Sequence, residues 1–408
     1  RDAHLDAQVP VTWLESSEPS YILYTSGTTG KPKGVQRDTG GYAVALAASM
    51  KHIYCGKPGE SMFTTSDIGW VVGHSYIVYG PLLSGATSVI FEGVPTWPDA
   101  GRFWNIVDKY GVNILYTAPT AIRSLMGFGT DIFKQKNLTS LKKLGTVGEP
   151  INEEAWHWYH KNIGRGRCPI VDTWWQTETG GIMISSLAGV TPERPGYATL
   201  PLPGVQPVLM DEQGRELSGN GVEGRLCIRF PWPSMIRTTY GDHARCRDTY
   251  FQTFPGYYFT GDGCKRDEQG YYRITGRVDD VLNVSGHRIG TAEVENAINM
   301  HTGVVESAVV GYPHDVKGQG IYAFVTYSGT HGNADMVKKD ITATVSRIIG
   351  PIAKPDKIQL VSGLPKTRSG KIMRRILRKI AEGEMDKIGD TTTLLDPAIV
   401  EEIKKGKV

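Results

Sequence analysis

Residues 24–34, with the sequence YTSGTTGKPKG, combine a permissive backbone with hydroxyl groups and positive charge. Its glycines allow φ > 0 and a close approach to a ligand, because no Cβ stands in the way. The residues of this loop that could contact a ligand are Thr25, Ser26, Gly27, Thr28, Thr29, Gly30, Lys31 and Lys33. Consecutive N–H groups, hydroxyls and cations favour the binding of a chain of phosphates.

The phosphate loop of nucleoside triphosphatases does not match this stretch. That motif has four residues between its glycines and a Ser or Thr directly after its Lys. Here two residues separate Gly27 from Gly30, and Pro32 follows Lys31. We therefore predict a phosphate-binding loop of another type, with a flexible Gly/Ser/Thr surface loop as the alternative.

Four further stretches carry acidic or basic side chains in turn-like surroundings. They are VDTWWQTETGG (171–181) with Asp172 and Glu178, YYFTGDGCKRDEQGYYRITGRVDD (257–280) with Asp262, Arg277 and Asp279, VLNVSGHRIG (281–290) with Gly286 and Arg288, and LPKTRSGKIMRR (364–375) with Lys371. Carboxylates bind Mg²⁺, and the guanidinium fork of Arg matches phosphate oxygens. Taken singly, however, the acids are compatible with ordinary turns and the arginines with solvated surface charge.

Alternating helical and strand patterns position these stretches in the first half of the chain. We expect a buried strand at Tyr21–Tyr24 before the loop and a helix after Asp99, with Phe103, Ile106, Val107 and Tyr110 at helical spacing and Gly111 as its end. A strand at 112–116, a helix from Pro119, a strand at 141–147, a helix from Asn152 to Gly164 and a strand at 170–172 follow. This order predicts an α/β fold with a largely parallel sheet, whose ligands bind at the carboxyl ends of the strands.

The pattern changes from Gly204 onward to short strands with turn signals, which predicts a small β subdomain up to about Thr275. A smaller unit then follows, with strands at 281–284, 307–311 and 322–327 and helices at 291–300 and 334–349. We therefore predict two domains, residues 1–278 and 279–408.

Composition narrows the class of protein. The chain has 408 residues, 40% of them hydrophobic and 21% charged, with a net charge of +3. This balance gives no reason to expect a nucleic acid or a membrane as partner. The five cysteines are widely spaced and form no CxxC, which favours a reducing, cytoplasmic compartment. The chain begins RDAHLDAQVP without Met, and the glycine-rich loop follows after some 20 residues, so we expect that the start of a longer chain is missing.

The five stretches, in this order, resemble the adenylate-forming superfamily of acyl-CoA synthetases and luciferases, and most closely its acetyl-CoA synthetases. The similarity runs from about Trp13 to the last residues, and GHSY, VGEPINE, DTWWQTETGG and PKTRSGKIMRRILRKIA carry it. QRDTGGYAVAL and DIGWVVGHSYIVYGPL lean toward the propionyl-CoA relatives. The resemblance implies a large AMP-binding domain of parallel sheets and helices with a small β subdomain, lacking the family's N-terminal portion, and then a small mobile α+β domain.

The resemblance also implies an activity and its residues. ATP, with Mg²⁺, would convert acetate to acetyl-adenylate and pyrophosphate, and CoA would then form the thioester and release AMP. The implied catalytic residues are Lys371, Thr177 and Glu178, with Glu178 as metal ligand. Those implied for ATP or AMP are Thr25, Ser26, Gly27, Thr28, Thr29, Gly30, Lys31, Gly148, Glu149, Pro150, Asp172, Thr173, Trp174, Gln176, Asp262, Arg277 and Arg288. Those implied for the acyl pocket are Trp70, Val71, Val72, Val147 and Trp175, those for CoA are Ser285 and Gly286, and the hinge is Asp279.

Other interpretations stay open at this point. Val72 stands where acetyl-CoA synthetases commonly carry Thr, so propionate is the alternative acid. Without the N-terminal portion, a nucleotide-binding fragment without turnover is a further alternative. Residues 366–379 hold seven Lys or Arg, which suggests a nucleic-acid surface, but Ile372, Met373, Ile376, Leu377 and Ile380 predict a docked amphipathic helix instead. Lys371 is also a candidate for reversible acetylation by a lysine acetyltransferase and deacetylase, because losing its charge would stop the reaction.

Overall fold

The computed structural model describes residues 7–25, 32–285, 287–329, 332–367, 371–389, 391–392 and 394–408, with Arg288 described only through its backbone. The strands are β1 (Pro19–Thr25), β2 (Lys33–Asp38), β3 (Ser61–Thr64), β4 (Thr87–Val89), β5 (Ile114–Thr117), β6 (Lys143–Thr146), β7 (Ile170–Asp172), β8 (Pro207–Met210), β9 (Glu216–Leu217), β10 (Val222–Ile228), β11 (Thr238–Thr239), β12 (Tyr258–Arg266), β13 (Tyr272–Arg277), β14 (Val281–Val284), β15 (His287–Gly290), β16 (Val304–His314), β17 (Gly318–Tyr327) and β18 (Lys357–Val361).

The helices follow the same numbering scheme. They are α1 (Thr39–His52), α2 (Val71–Gly73), α3 (Gly80–Leu83), α4 (Arg102–Tyr110), α5 (Pro119–Met126), α6 (Asp131–Lys134), α7 (Glu153–Trp158), α8 (His243–Tyr250), α9 (Thr291–Asn299), α10 (Ala334–Ile348), α11 (Arg374–Glu382) and α12 (Ala398–Lys405), with π turns at His74–Tyr79 and Tyr159–Ile163 and 3₁₀ turns at Val278–Asp280, Pro351–Ala353 and Met385–Lys387. Within the described ranges, no helix is long and apolar enough to cross a membrane.

A parallel sheet of order β4-β3-β5-β6-β7 forms the centre of the first half, as predicted. Helices α4 to α7 cover one face, and α1 with the segment 71–83 covers the other. Because both faces are covered, β5 is buried along its whole length. The predicted carboxyl-end edge of this sheet therefore exists, and β6 and β7 both end at it.

Helix α4 shows how local sequence forms one covering element. Asp99 accepts a hydrogen bond from the N–H of Gly101 before the helix begins, and Gly111, at φ 58°, ends it. Phe103, Ile106 and Val107 are buried as predicted, and burial of each such side chain is worth about 1.5–3 kcal/mol. Tyr110 is the last residue of the helix, as its spacing predicts, but it is 56% exposed.

Two other predictions of local structure need correction. β1 is an edge strand of the antiparallel sheet β1-β2-β11, and Ile22 and Tyr24 face solvent, so it is not a buried strand. The helix from Asn152 changes to a π turn before Gly164, and the Asn152 side chain makes no capping hydrogen bond. Both outcomes depend on the strands and helices packed alongside, which the local sequence does not specify.

Two further sheets complete the molecule. The predicted β subdomain is an antiparallel sheet of order β13-β12-β10-β8-β9. The last sheet, formed by β14 to β18, packs α9 and α10 against one face and α11 and α12 against the other. On α11, Ile376, Leu377 and Ile380 are fully buried, which confirms the amphipathic helix. The proposed domain boundary at 278/279 stays a prediction.

Candidate active site

Asp172 is the last residue of β7, and Thr146 is the last residue of the neighbouring β6. The Thr146 hydroxyl donates to Asp172 Oδ1 at 2.7 Å. Burial raises the pKa of Asp172 to about 7, although hydrogen bonds from Thr146 and from the backbone of Ile151 oppose that shift. A buried carboxyl group that titrates near neutral pH therefore lies at the sheet edge where ligands are expected.

Trp174 and Trp175, two and three residues after Asp172, face opposite directions, as expected for extended backbone. Trp174 Nε1 donates to Asp262 Oδ2 at 3.1 Å, in the core shared with the antiparallel sheet. Trp175 Nε1 instead donates to Tyr116 Oη at 3.1 Å, in the core beneath the parallel sheet. Trp174 therefore links the segment after β7 to the antiparallel sheet, and Trp175 links it to the core of the parallel sheet.

Asp262, on β12, connects the turn after β7 to the antiparallel sheet. Gln176 Nε2 donates to Asp262 Oδ2 at 2.8 Å and to the carbonyl of Thr260 at 2.7 Å. Arg277 Nη1 lies 3.3 Å from Asp262 Oδ1. Burial raises the pKa of Asp262, against the opposing attraction of Arg277. The structure thus brings together four residues that were predicted to bind a nucleotide.

Glu178 lies in a hydrogen-bonded triad. Tyr250 Oη, at the end of α8, donates to Glu178 Oε1 at 2.6 Å, and Lys33 Nζ donates to the same hydroxyl at 2.6 Å. Lys33 Nζ also forms an ion pair with Glu178 at 3.6 Å. Burial raises the pKa of Glu178, but Lys33 and Tyr250 more than offset it, so the net pKa lies below its usual value. Glu178 is therefore a carboxylate at neutral pH.

A buried arginine holds the main chain of this turn. Arg37, fully buried on β2, donates to the carbonyls of Thr177, Glu178 and Ser234. Three carbonyl dipoles at one guanidinium fix the turn against β2, which also positions Lys33. Thr177 contributes its carbonyl to this contact.

Four of the five predicted acyl-pocket residues lie in one apolar cluster. Val71, Val147 and Trp175 are buried together, and Val72 packs against them. Trp70, just before α2, lies outside this cluster and is half-buried. The predicted acyl-pocket side chains therefore form an apolar cluster that includes the Trp175 indole.

Lys371, from the last part of the chain, lies beside Trp70. Its Nζ lies 5.0 Å from the centre of the Trp70 ring. The side chain stays solvent-exposed, yet desolvation of its ammonium by the surrounding protein lowers the pKa of Lys371, and the positive charge of Arg277 lowers it further. Glu178 is also close enough to act on it, in the opposite direction. The Lys371 ammonium therefore lies beside Trp70 and within electrostatic range of Glu178 and Arg277.

The remaining predicted residues lie around this centre. Gly148 is exposed at φ 97°, and Pro150 is half-buried. Glu149 Oε1 lies 2.8 Å from Arg123 Nη2 and also accepts from the Thr120 hydroxyl. The Thr173 hydroxyl donates to the carbonyl of Thr146 at 2.8 Å. The buried Thr25 hydroxyl has no partner among the described residues, which suits a ligand-facing position.

The predicted hinge residue Asp279 and the predicted CoA residue Ser285 lie at the two ends of β14. Asp279 is in the 3₁₀ turn between β13 and β14, with its Oδ2 3.9 Å from Arg277 Nη2. Its carbonyl accepts from Arg378 of α11 at 3.3 Å. Ser285, at φ 51°, has a left-handed backbone at the end of β14, which is uncommon for a residue other than glycine.

Several predicted residues fall outside the described part of the chain. They are Ser26, Gly27, Thr28, Thr29, Gly30, Lys31 and Gly286, together with the side chain of Arg288.

Sequence reasoning missed Arg37, Tyr250 and Tyr116. Arg37 carried one signal, a charged residue within a strand pattern. The tyrosines carried none, since Tyr250 contacts Glu178 across 72 residues and Lys33 across 217. Such long-range partners become visible only in the fold.

Comparison with known families agrees with this arrangement. Residues 2–238 match the model of the AMP-binding enzyme family, and residues 293–371 match that of the AMP-binding enzyme C-terminal domain. The chain therefore belongs to the AMP-binding enzyme family, with a large α/β domain and a small C-terminal domain.

Individual relatives narrow the comparison to acetyl-coenzyme A synthetases. The chain is 58% identical over 404 residues to the acetyl-coenzyme A synthetase of Leptospira biflexa, and 59% identical over 401 residues to that of Alkalilimnicola ehrlichii. These matches cover 99% and 98% of this chain and 62% of each relative. The solved anthranilate CoA ligase AuaEII, in complex with anthranoyl-AMP, matches with a TM-score of 0.81 at 25% identity, over 93% of this chain and 70% of that one.

Proposed function

We propose that this protein is an AMP-forming acetate–CoA ligase, which uses ATP to activate acetate and then transfers the acetyl group to CoA. The observation that carries the proposal is the position of Lys371, whose ammonium lies against Trp70, next to the apolar cluster of Trp175 and within electrostatic range of Glu178 and Arg277. The 58% and 59% identity to two acetyl-coenzyme A synthetases also supports the proposal.

The first step joins two anions. A carboxylate oxygen of acetate attacks the α-phosphorus of ATP, and the bond from that phosphorus to the bridging oxygen breaks, so that pyrophosphate leaves. Lys371 would contact both the acetate carboxylate and the α-phosphate, with Thr177 at the same phosphate. The loop after β1 would bind the pyrophosphate. Fixed cations of this kind typically contribute about 10²- to 10³-fold in rate.

Adenosine recognition would use the residues between the two sheets. Asp262 would accept hydrogen bonds from the ribose hydroxyls, and Arg277 would bind ribose or phosphate. Asp172 would accept a hydrogen bond from the adenine amino group, next to the backbone of residues 148–150. Thr173, Trp174 and Gln176 hold the connecting turn in place through the contacts described above.

Mg²⁺ would be held by Glu178. The residue fits that role because its carboxylate stays charged and because Lys33 and Tyr250 orient it through Oε1. Mg²⁺, when bound, neutralises phosphate charge and orients the leaving pyrophosphate. Among the described residues, no group of three or more His, Cys, Asp or Glu side chains forms a metal site of its own, so the phosphates would supply further ligands.

The second step makes the thioester. The sulfur of CoA attacks the carbonyl carbon of acetyl-adenylate and loses its proton, and AMP departs with the electron pair of the broken C–O bond. The pantetheine path would be bordered by Ser285, whose backbone is left-handed, and by Gly286. Rotation at Asp279 would withdraw Lys371 and open that path.

The acyl pocket favours a two-carbon acid. Val71, Val72, Val147 and Trp175, which pack together in one cluster, would line it with apolar surface, and the indole would limit its depth. An additional methylene of propionate would gain only about 0.8 kcal/mol from burial, so propionate is the alternative substrate. This choice depends on the position of the Trp175 ring.

Pyrophosphate release with acids of two to four carbons tests the proposal. We expect release that requires acetate and Mg²⁺, with acetate giving a higher kcat/KM than propionate. Acetate-independent release, or none with any acid, would contradict the proposal. A chain extended at the N terminus to the length of the relatives serves as the comparison.

A nucleotide-binding fragment without turnover is the second candidate, because the chain spans 62% of the length of the relatives. Calorimetric binding of ATP or AMP by the 408-residue chain, with pyrophosphate release only from the extended chain, would favour it over the first. Neither outcome requires a nucleic acid.

Location and regulation follow from the same chemistry. We propose a cytoplasmic location, since the reaction needs ATP and CoA and the five cysteines are free thiols. The exposed Lys371 amine, with its lowered pKa, would react readily with an acyl donor held by an acetyltransferase. Acetylation there would remove the charge on which the first step depends.

A further inference from the structure

The Trp175 indole is held by a directed chain of hydrogen bonds. An indole N–H can only donate, so Tyr116 Oη accepts from Trp175 Nε1 at 3.1 Å. The same tyrosine oxygen lies 2.6 Å from Thr173 Oγ1, and Thr173 donates its own proton to the carbonyl of Thr146 at 2.8 Å. Tyr116 must therefore donate to Thr173, and the chain runs from Trp175 through Tyr116 and Thr173 to the backbone of β6.

The Tyr116 ring, in the middle of this series of hydrogen bonds, is held in place by its neighbours. Tyr116 is fully buried on β5, with edge-to-face contacts to Tyr54 and Tyr76 at centroid distances of 5.3 Å each. On β6, a Cβ at Gly145 would lie 2.6 Å from Tyr116 Cδ2, so the glycine is what allows the ring its position. Burial also raises the pKa of Tyr116, which keeps its hydroxyl protonated and able to donate.

A second tyrosine contacts Trp175 without holding its N–H. The Tyr76 ring meets the Trp175 ring edge-on at 5.4 Å, but its hydroxyl pairs with Ser49 Oγ at 2.8 Å. Ser49 in turn donates to the carbonyl of Leu46 at 2.8 Å. Tyr76 thus supplies packing, and Tyr116 supplies both packing and the hydrogen bond.

We propose that Tyr116 is a positioning residue that fixes the tilt of the Trp175 indole through its hydroxyl and thereby sets the longest acid that the pocket accepts. This inference rests on the proposed function, because it concerns the same pocket. It predicts that removing the buried Tyr116 hydroxyl oxygen, which bonds Trp175 and Thr173, changes the preference of the pocket among acids.

Tyr116→Phe is the test, since it keeps the ring and leaves Thr173 bonded to Thr146. We measure, by calorimetry, the affinity for alkyl esters of AMP with two-, three- and four-carbon chains, and kcat/KM for the corresponding acids. We expect the ratio of three-carbon to two-carbon preference to rise by about 3- to 10-fold, within the range that one methylene allows. Tyr76→Phe, equally buried in the same cluster, is the matched control and should leave this ratio unchanged.

A double-mutant cycle separates the hydrogen bond from packing. In a Trp175→Phe background no indole N–H remains, so adding Tyr116→Phe should not change the ratio further. A shift that persists in this background, or one that Tyr76→Phe reproduces, would overturn the inference. If Tyr116→Phe does not fold, Gly145→Ala displaces the same ring from β6, and an unchanged ratio in that variant would overturn it as well.

The outcomes also distinguish this inference from the proposed function. A wild-type protein that binds two-carbon esters, together with a Tyr116→Phe variant of unchanged preference, refutes the inference alone. A wild-type protein that binds none of the esters refutes the proposed function and the inference together.

Discussion

The buried Asp172 carboxyl predicts a specific dependence of stability on pH. Its pKa is about 7 in the folded protein, against 3.8 for an unperturbed Asp. The folded state therefore retains a proton that the unfolded chain releases, so the contribution of Asp172 to stability is largest below pH 4 and is lost as the pH rises through 7. The full difference corresponds to about 4 kcal/mol, of which about 2–3 kcal/mol is lost between pH 5 and 8.

Asp172→Asn removes this titration. Its amide oxygen can still accept from Thr146, but its NH₂ group faces backbone N–H donors such as that of Ile151, which adds a cost that does not vary with pH. We therefore compare the free energy of unfolding of Asp172→Asn with that of the wild-type protein at each pH. The informative quantity is how much the difference between them changes with pH. We expect this difference to shift in favour of Asn by about 2–3 kcal/mol from pH 5 to 8.

Reversible urea unfolding, followed by tryptophan fluorescence at pH 5, 6, 7 and 8, measures this shift. Asp131→Asn, at a side chain that is 87% exposed, is the matched control and should give a constant difference. If the Asp172→Asn difference is constant as well, the carboxyl does not carry the burial penalty described here, and the account of its environment is refuted.

Three further predictions concern the turn after β7 and its neighbours. Tyr250→Phe should raise the Mg²⁺ concentration needed for half-maximal pyrophosphate release by about 3- to 10-fold, because Glu178 loses a charge-assisted hydrogen bond, worth about 1.5–3 kcal/mol in all, that helps to orient its carboxylate; an unchanged Mg²⁺ titration would argue against the triad. Arg37→Met should lower the free energy of unfolding by at least about 3 kcal/mol, because three carbonyls lose their donor, and a loss below about 1 kcal/mol in urea unfolding would contradict that view. Trp175→Gly should admit acids longer than four carbons, and continued refusal of them in the pyrophosphate assay would count against the indole as the pocket floor.

Local sequence was sufficient for the elements that local signals define. Pro119 begins α5 at the predicted residue, and the β7 strand has its predicted bounds. The burial of β1 was mispredicted because an apolar run looks the same on an edge strand as in a sheet centre. Sheet order decides between the two, and it depends on the distant β11.

The sequence was sufficient to predict the motifs of the site. It was not sufficient to predict the hydrogen bonds that connect those motifs to residues on other elements. Asp172, Glu178 and Asp262 were identified from their stretches, and the fold brings their neighbourhoods together. The residues that orient them come from other elements, as Tyr250 on α8 and Arg37 on β2 illustrate. A hydrogen bond between residues so far apart leaves no spacing for a sequence pattern to detect.

The central claim is that the Lys371 ammonium acts in the first step and not in the second. Lys371→Ala should abolish acetate-dependent pyrophosphate release, while the same variant should still convert preformed acetyl-adenylate and CoA to the thioester at close to the wild-type rate. Release of pyrophosphate by Lys371→Ala at the wild-type rate, or equal loss of both half-reactions in a folded variant, would contradict the account.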